Sequence, residues 1–230
     1  MTTKEKIINT ATNLFLTKGY DTVSIEEIIR NTGIAKGTFY HHFKSKEELL
    51  ETIVELMAEE SLQQLKQILE DDSLSILEKT KRITNKATQY KLDRLPVIIE
   101  TLKTWLNPAS LTMRKKLEEL TYKKTLPFYK EYIIQGQKEG TFDIGRMNPS
   151  NAARFIITLS LAITTEVAEY LLGLAKNPEY EQKLIELMDS YQYAYERILG
   201  LQEGSLDFRT DEFISAAKKY LVQGEKHGNS

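Results

Sequence analysis

The chain has 230 residues, 41% of them hydrophobic and 28% charged, with no cysteine and a formal net charge of −2. That is enough apolar material for a substantial core in one domain or two, and the absence of thiols excludes disulfides and thiolate metal sites. The near-neutral total says nothing for nucleic acid, but the distribution is uneven. Residues 1–46 carry seven bases (Lys4, Lys6, Lys18, Arg30, Lys36, Lys44, Lys46) against four acids (Glu5, Asp21, Glu26, Glu27), leaving 24 bases against 29 acids for the rest. The N-terminal end is the positive end.

The opening MTTKEKIINTATNLF has no apolar run and no cleavage site, so the chain is expected to stay in the cytoplasm. A helix is expected from about Lys4 to Lys18, with Ile7, Ile8, Ala11, Leu14 and Phe15 at helical spacing on one face and Gly19 ending it. Ser24 with Glu27 has capping-box spacing, so a second helix starts at Ile25. Asn31-Thr32-Gly33 closes it, because glycine takes the left-handed exit without steric cost. A helix of about two turns follows, Lys36 to Phe43. Ser45 and Glu48 then form another box, opening a rod from Lys46 to about Glu70 with Leu49, Leu50, Ile53, Val54, Leu56 and Met57 apolar.

Ile25, Ile28, Ile29, Ile34, Phe39 and Phe43 make an apolar wedge holding the two short helices at an angle. Lys36, Gly37, Thr38, Tyr40, His41 and His42 are left exposed. This remainder has donors and hydroxyls but no carboxylate, as a surface facing phosphates and base edges requires. Helix, short turn and helix with that polarity is the helix-turn-helix arrangement, whose second helix enters the major groove by its N-terminal residues.

The run GIAKGTFYHHFKSKEELL, Gly33 to Leu50, with the preceding Phe15-x-x-x-Gly19-Tyr20 pattern, resembles the DNA-binding domain of the tetracycline-repressor (TetR) family, contiguously from about Lys4 to about Ala58. The resemblance implies a homodimeric, ligand-responsive transcriptional regulator, usually a repressor, on a palindromic operator in double-stranded DNA. Lys36 would reach a base edge or phosphate, and the bare backbone at Gly37 would let the duplex approach closely. Thr38 has a local capping alternative through its hydroxyl, and Tyr40 has the alternative of packing with Phe39 and Phe43. The family's phenol at the Tyr40 position reaches a phosphate. His41 and His42 diverge by about 100° on a helix, which disfavours a shared metal ion and leaves a DNA-edge role. Lys46 in a first helical turn opposes the macrodipole, which a phosphate partner explains. Ser24 is a cap, with a phosphate contact added by the resemblance. Ala35 departs from the family's usual capping Ser or Thr, at about 1 kcal/mol, and Ile29 and Thr32 stand where alanines are common.

Beyond the Asp71-Asp72-Ser73 break, Ser75 and Glu78 open a helix to about Tyr90–Asp93, and Leu95-Pro96 starts one that Asn107-Pro108 stops. A long pattern from Leu111 to Glu139 contains Pro127, expected to kink or split it. Gly136-x-x-x-Gly140-Thr141-Phe142 resembles the close of the corresponding helix in the family. Asn148-Pro149 and Asn177-Pro178 cap helices to about Leu174 and to Leu199-Gly200. A last helix is expected over Asp211 to Val222, before a disordered tail. Phe155 to Ala175 approaches membrane-spanning length, but Glu166 and Glu169 would each cost about 2.5–3.5 kcal/mol there, so it is expected to be a buried helix of a soluble protein. With no alternation long enough for a sheet and no repeat, the chain is all-α: a helix-turn-helix head over 2–62 (motif about 24–43), a helical ligand-binding and dimerisation body over 63–223, and a tail over 224–230. By resemblance, the helices at about Pro149–Leu174 and Pro178–Gly200 form a four-helix bundle across the dimer axis, and the face of Phe155, Leu159, Ile163, Val167 and Leu171 needs that partner.

Nucleotide-binding, nucleophile-elbow and zinc-protease motifs are absent, and no cofactor or metal site is expected. Tyr90, Trp105, Tyr122, Tyr129 and Glu166 are candidate linings for an unidentified small-molecule effector, with core packing the alternative for each aromatic. The competing function class is an all-α carrier or enzyme whose head docks a protein; salt-dependent DNA binding separates the two.

Overall fold

Helix starts lie where the sequence supplies an acceptor for unpaired backbone N–H groups. The computed structural model describes residues 1–208 and 211–228, apart from the side chains of residues 57, 58, 60, 61, 64 and 225–228. The expectation for Met57 therefore falls outside the described side chains. Ten α-helices occur among the described residues: α1 (Thr3–Lys18), α2 (Ile25–Thr32), α3 (Lys36–His42), α4 (Lys46–Leu69), α5 (Ile76–Asp93), α6 (Leu95–Leu106), α7 (Leu111–Lys138), α8 (Pro149–Gly173), α9 (Glu179–Leu199) and α10 (Asp211–Gly228). No strand is present among them.

Two compact units form. The first comprises Met1–Ser61 with Glu100–Thr121, the second Leu62–Ile99 with Tyr122–Ser230. Glu100–Thr121 thus groups with the head, and the packing gives the reason. The Thr104 hydroxyl donates to the Leu16 carbonyl, Lys116 pairs with Glu51 at 2.6 Å, and Met113, Leu117 and Leu120 pack against the head core. That core is Ile7, Ala11, Leu14 and Phe15 of α1 with Tyr20, Val23, Ile28, Phe39, Phe43, Leu49, Leu50, Ile53 and Val54. A head of a few short helices buries too little surface to be firm alone, and this added segment enlarges its core.

In the second unit, the Ser75–Glu78 capping box is complete, and Asn148 accepts from the Asn151 N–H at 2.9 Å to start α8. α7 runs unbroken through Pro127. Pro127 is exposed, so the Lys123 carbonyl it cannot bond stays open to water and the helix need not split. At the close of α7 the Phe142 ring lies where a side chain at Gly136 would stand, 2.0 Å from an ideal Cβ, so only glycine fits.

Two expectations are corrected. α10 runs to Gly228, past the expected end at Val222; Asn229 and Ser230 lie outside the described residues. α8 is long and apolar enough to cross a membrane, but it is not the buried helix anticipated: only 22% of its most apolar window is buried within the chain. Leu171 is buried against its own chain while Phe155 is 55% exposed.

Candidate nucleic-acid interface

The α2–α3 pair is built from local rules. Ser24 accepts from the Glu27 N–H at 3.1 Å. The reciprocal half of the expected box is missing, because the Glu27 carboxylate is taken by Lys18 at 2.5 Å. That ion pair and nearby Arg30 hold the Glu27 carboxyl below its ordinary range, the Lys18 hydrogen bond contributing most. Gly33 closes α2 in the left-handed conformation, φ 72°. Ala35 provides no side-chain cap for α3, as the sequence implies.

Phe39 and Phe43 are fully buried, and this fixes which side of α3 faces outward. Lys36, Gly37, Tyr40 and His41 are exposed; Thr38 and His42 are half-buried. No neighbouring atom stands within 4 Å of a Cβ built at Gly37, so the backbone is bare there. Tyr40 packs edge-on against Phe39 with ring centroids 5.5 Å apart yet keeps 44% of its surface exposed. The His41 and His42 rings meet edge to face at 5.1 Å. Lys36 reaches Glu26 at 3.5 Å, both exposed, a pairing too weak to compete with a phosphate. α3 itself has no acid.

Lys46 is placed differently from expectation. Its ammonium donates to the Tyr20 and Val23 carbonyls, each at 2.9 Å, and lies 4.2 Å from the centroid of the Tyr20 ring. A cation in the first turn of α4 is thus explained by the carbonyls of the α1–α2 corner, which it fastens to α4. Burial, reinforced by the adjacent Glu47, pushes the Tyr20 hydroxyl well up from its ordinary value. Lys44, passed over in the sequence, is exposed between α3 and α4, and among the described residues its backbone N–H bonds to Glu48 at 2.7 Å. A cation flanking a carboxylate-free helix was the signal that could have marked it.

Residues 7–53 match the model of bacterial regulatory proteins of the tetR family. The chain is 47% identical over 68 residues to the HTH-type transcriptional regulator YerO of Bacillus subtilis, a match covering 30% of this chain and 24% of that protein. It is 50% identical over 48 residues to the TetC protein of transposon Tn10 in Escherichia coli, covering 21% of this chain and 24% of TetC. The matched stretch spans about a quarter of the length of these curated relatives. Among solved structures, SmeT, the repressor of the Stenotrophomonas maltophilia multidrug efflux pump SmeDEF, superposes with a TM-score of 0.62 at 20% identity, over 90% of this chain and 94% of SmeT.

Residues 7–53 are therefore a DNA-binding domain of the tetR-family kind. The match ends at Ile53, in the first half of α4, so the second unit has to be understood from its own residues. The five sequence candidates for an effector site do not converge. Tyr90 is 43% exposed beneath the Arg94 guanidinium, 4.3 Å from its ring centroid, and Glu166 is exposed on α8. Neither lines an interior site of this chain. Trp105 lies in the first unit, where Arg114 donates to its carbonyl at 2.9 Å. Its indole N–H is buried without a partner among the described residues. Tyr122 is half-buried at the start of the second unit's share of α7.

Tyr129 alone joins a cluster that the sequence did not assemble. Its ring centroid is 6.5 Å from that of Tyr132, Tyr191 is 6.0 Å from Tyr195, and Phe208 lies 5.7 and 5.0 Å from those two. Tyr129–Tyr132 and Tyr191–Tyr195 stand at i,i+3 and i,i+4 spacing, a one-face signal legible in the sequence.

Proposed function

We propose that this chain is a homodimeric transcriptional regulator, a repressor, that binds a palindromic operator through α3 and is switched by a small molecule held in its second unit, in the cytoplasm. The carboxylate-free outer face of α3, held by the buried Phe39 and Phe43, carries the reading. Lys36, Gly37, Thr38, His41 and His42 are assigned to base edges, and Tyr40, Ser24 and Lys44 to the phosphate backbone. Lys46 is assigned to holding the corner rather than to a phosphate.

The uncovered face of α8, with Phe155 exposed and Leu159, Ile163 and Val167 half-buried, supports a two-fold partner, as does Tyr193 of the packed α9, 50% exposed. One helix pair reaches too few base pairs for a selective site, and two-fold symmetry doubles that number at a spacing of about 34–36 Å. An effector acts only by binding the DNA-incompetent state more tightly, so operator DNA must weaken effector binding by the same factor. α4, which contributes residues to both units, is the assigned connection.

The test is selection of duplexes from a random pool, with sedimentation of the free protein. The expected outcome is an enriched inverted repeat, bound with steep salt dependence by a dimer. A concentration-independent monomer, or a pool that never enriches, overturns the reading.

A further inference from the structure

The chain has three histidines, and two of them are neighbours on α3. At about 100° per residue, His41 stands about 160° round the helix from both Phe39 and Phe43, whose rings are buried in the head core. It is therefore the outermost side chain of α3. Gly37, one turn earlier on nearly the same line, has no side chain to cover it, and no atom lies within 4 Å of a Cβ built there. His42 is half-buried at the flank, and its ring meets that of His41 edge to face with centroids 5.1 Å apart.

The protein supplies no anion to this pair. Among the described residues no carboxylate is bonded to either imidazole, and the acids on the elements packed against α3 are engaged elsewhere. On α1, Glu5 accepts from the Thr2 N–H at 2.8 Å. On α2, Glu26 pairs with Lys36 and Glu27 with Lys18. At the start of α4, Glu47 takes the Tyr20 hydroxyl at 3.4 Å and Glu48 the Lys44 N–H at 2.7 Å, and further along Glu51 holds Lys116. The other charges are cations. Lys4 of α1 lies 5.7 Å from the centroid of the Phe43 ring, Lys6 and Arg30 are exposed on α1 and α2, Lys44 is exposed just beyond α3, and Lys46 is turned to the Tyr20 and Val23 carbonyls. Tyr40, the other titratable group on α3 besides Lys36, packs against Phe39.

Imidazole is the side chain whose charge ordinarily changes between about pH 5 and 8. Neutral, it offers one donor and one acceptor; protonated, it offers two donors. Guanine presents two acceptors, O6 and N7, to the major groove, and the flanking phosphates favour a cation over a neutral ring. A second positive charge on a ring about 5 Å away is disfavoured, so the pair takes up one proton, on its outer member.

We infer that His41 reads an acceptor base edge, of the guanine O6 and N7 kind, in its protonated form, with His42 as its uncharged partner, so that preference for the operator depends on pH. The inference rests on the DNA-binding reading above and adds the base chemistry and its proton linkage. The complex holds one proton more per subunit than its separated parts, so operator affinity is greatest on the acid side of the imidazole range and is lost as pH rises through it.

Fluorescence anisotropy of the whole chain at fixed salt, at pH 6 and pH 8, on a selected operator and a scrambled duplex of equal length, tests it. Wild type should bind the operator about tenfold more tightly at pH 6 than at pH 8, with a smaller change on the scrambled duplex. His41→Gln, which keeps a donor but does not titrate, should bind the operator at both pH values about as wild type does at pH 8. His42→Gln should keep the ratio between the two pH values. His41 lies outside the core, so the melt of His41→Gln should match wild type. An operator preference that is the same at both pH values, an equal gain on both duplexes, or a pH dependence that survives His41→Gln overturns the inference. Salt-dependent but pH-independent binding sinks only the proton-linked contact, whereas no binding to either duplex at either pH sinks the regulator reading with it.

Discussion

The two units differ in the polar groups they bury. In the first these are small and few: the Thr32 hydroxyl is satisfied one turn back by the Ile28 carbonyl at 2.6 Å and the Thr104 hydroxyl by the Leu16 carbonyl, while the Ser110 hydroxyl and the Trp105 indole N–H have no partner among the described residues. In the second, hydroxyls, a lysine and a glutamate are carried into the interior and bonded there. A surface that must meet a long, charged, invariant backbone needs only a rigid support. A site that must distinguish small molecules needs polar groups where water does not reach. The same residue type lies in both settings: Tyr40 is 44% exposed, whereas Tyr195 is buried.

The largest expected contrast is alkaline. The Tyr129, Tyr132, Tyr191 and Tyr195 hydroxyls are raised in the folded state, so unfolded chains lose these protons first, near the ordinary phenol value of about 10. Stability is therefore complete below that pH and falls above it, by up to about 1.4 kcal/mol per pH unit for each phenol. Denaturant melts between neutral and strongly alkaline pH, with phenolate absorbance, should show these phenols ionising only on unfolding. Ionisation of every tyrosine in the native state would break the contrast.

Within the first unit, Phe39→Ala should cost about 3–5 kcal/mol, since it empties a fully buried site. Tyr40→Ala should stay within about 0.5 kcal/mol of wild type while weakening DNA binding. Equal loss of stability in the two variants would mean that α3 is not divided into a core side and a groove side.

Lys44 and Lys46 give a finer division. Lys46→Ala removes a donor from the Val23 carbonyl and one of two donors from the Tyr20 carbonyl, and should cost about 1–3 kcal/mol of stability with the salt slope of DNA binding unchanged. Lys44→Ala should leave the melt alone and flatten the log K against log salt slope by about 0.9 for each phosphate that is no longer neutralised. The opposite pattern would return Lys46 to the phosphate backbone.

What could be seen from the residues alone follows the range of the interaction. Caps such as Ser24, Ser75 and Asn148, and the exit at Gly33, are settled within one helical turn, and they are where the spacing put them. Long-range pairings were not visible. Nothing local says that Glu27 goes to Lys18, that Lys46 turns to carbonyls more than twenty residues back, or that residues 100–121 complete the head. The outer face of α3 was legible because the pair is short and its apolar residues leave no other choice. Of the tyrosine cluster only the two one-face pairs were legible; that α7 and α9 bring them together was not, because that contact is long-range.

The central claim is that α3 reads bases while its surroundings hold it to the duplex. It is tested most directly by salt titration of wild-type protein and Lys36→Ala on a selected operator and a scrambled duplex of equal length. Wild type should bind both with steep salt dependence and prefer the operator, and Lys36→Ala should lose about 1–3 kcal/mol of that preference, keeping most of its affinity for the scrambled duplex. Salt-independent binding, or an equal loss on both duplexes with the preference intact, would contradict base reading through Lys36 at the start of α3.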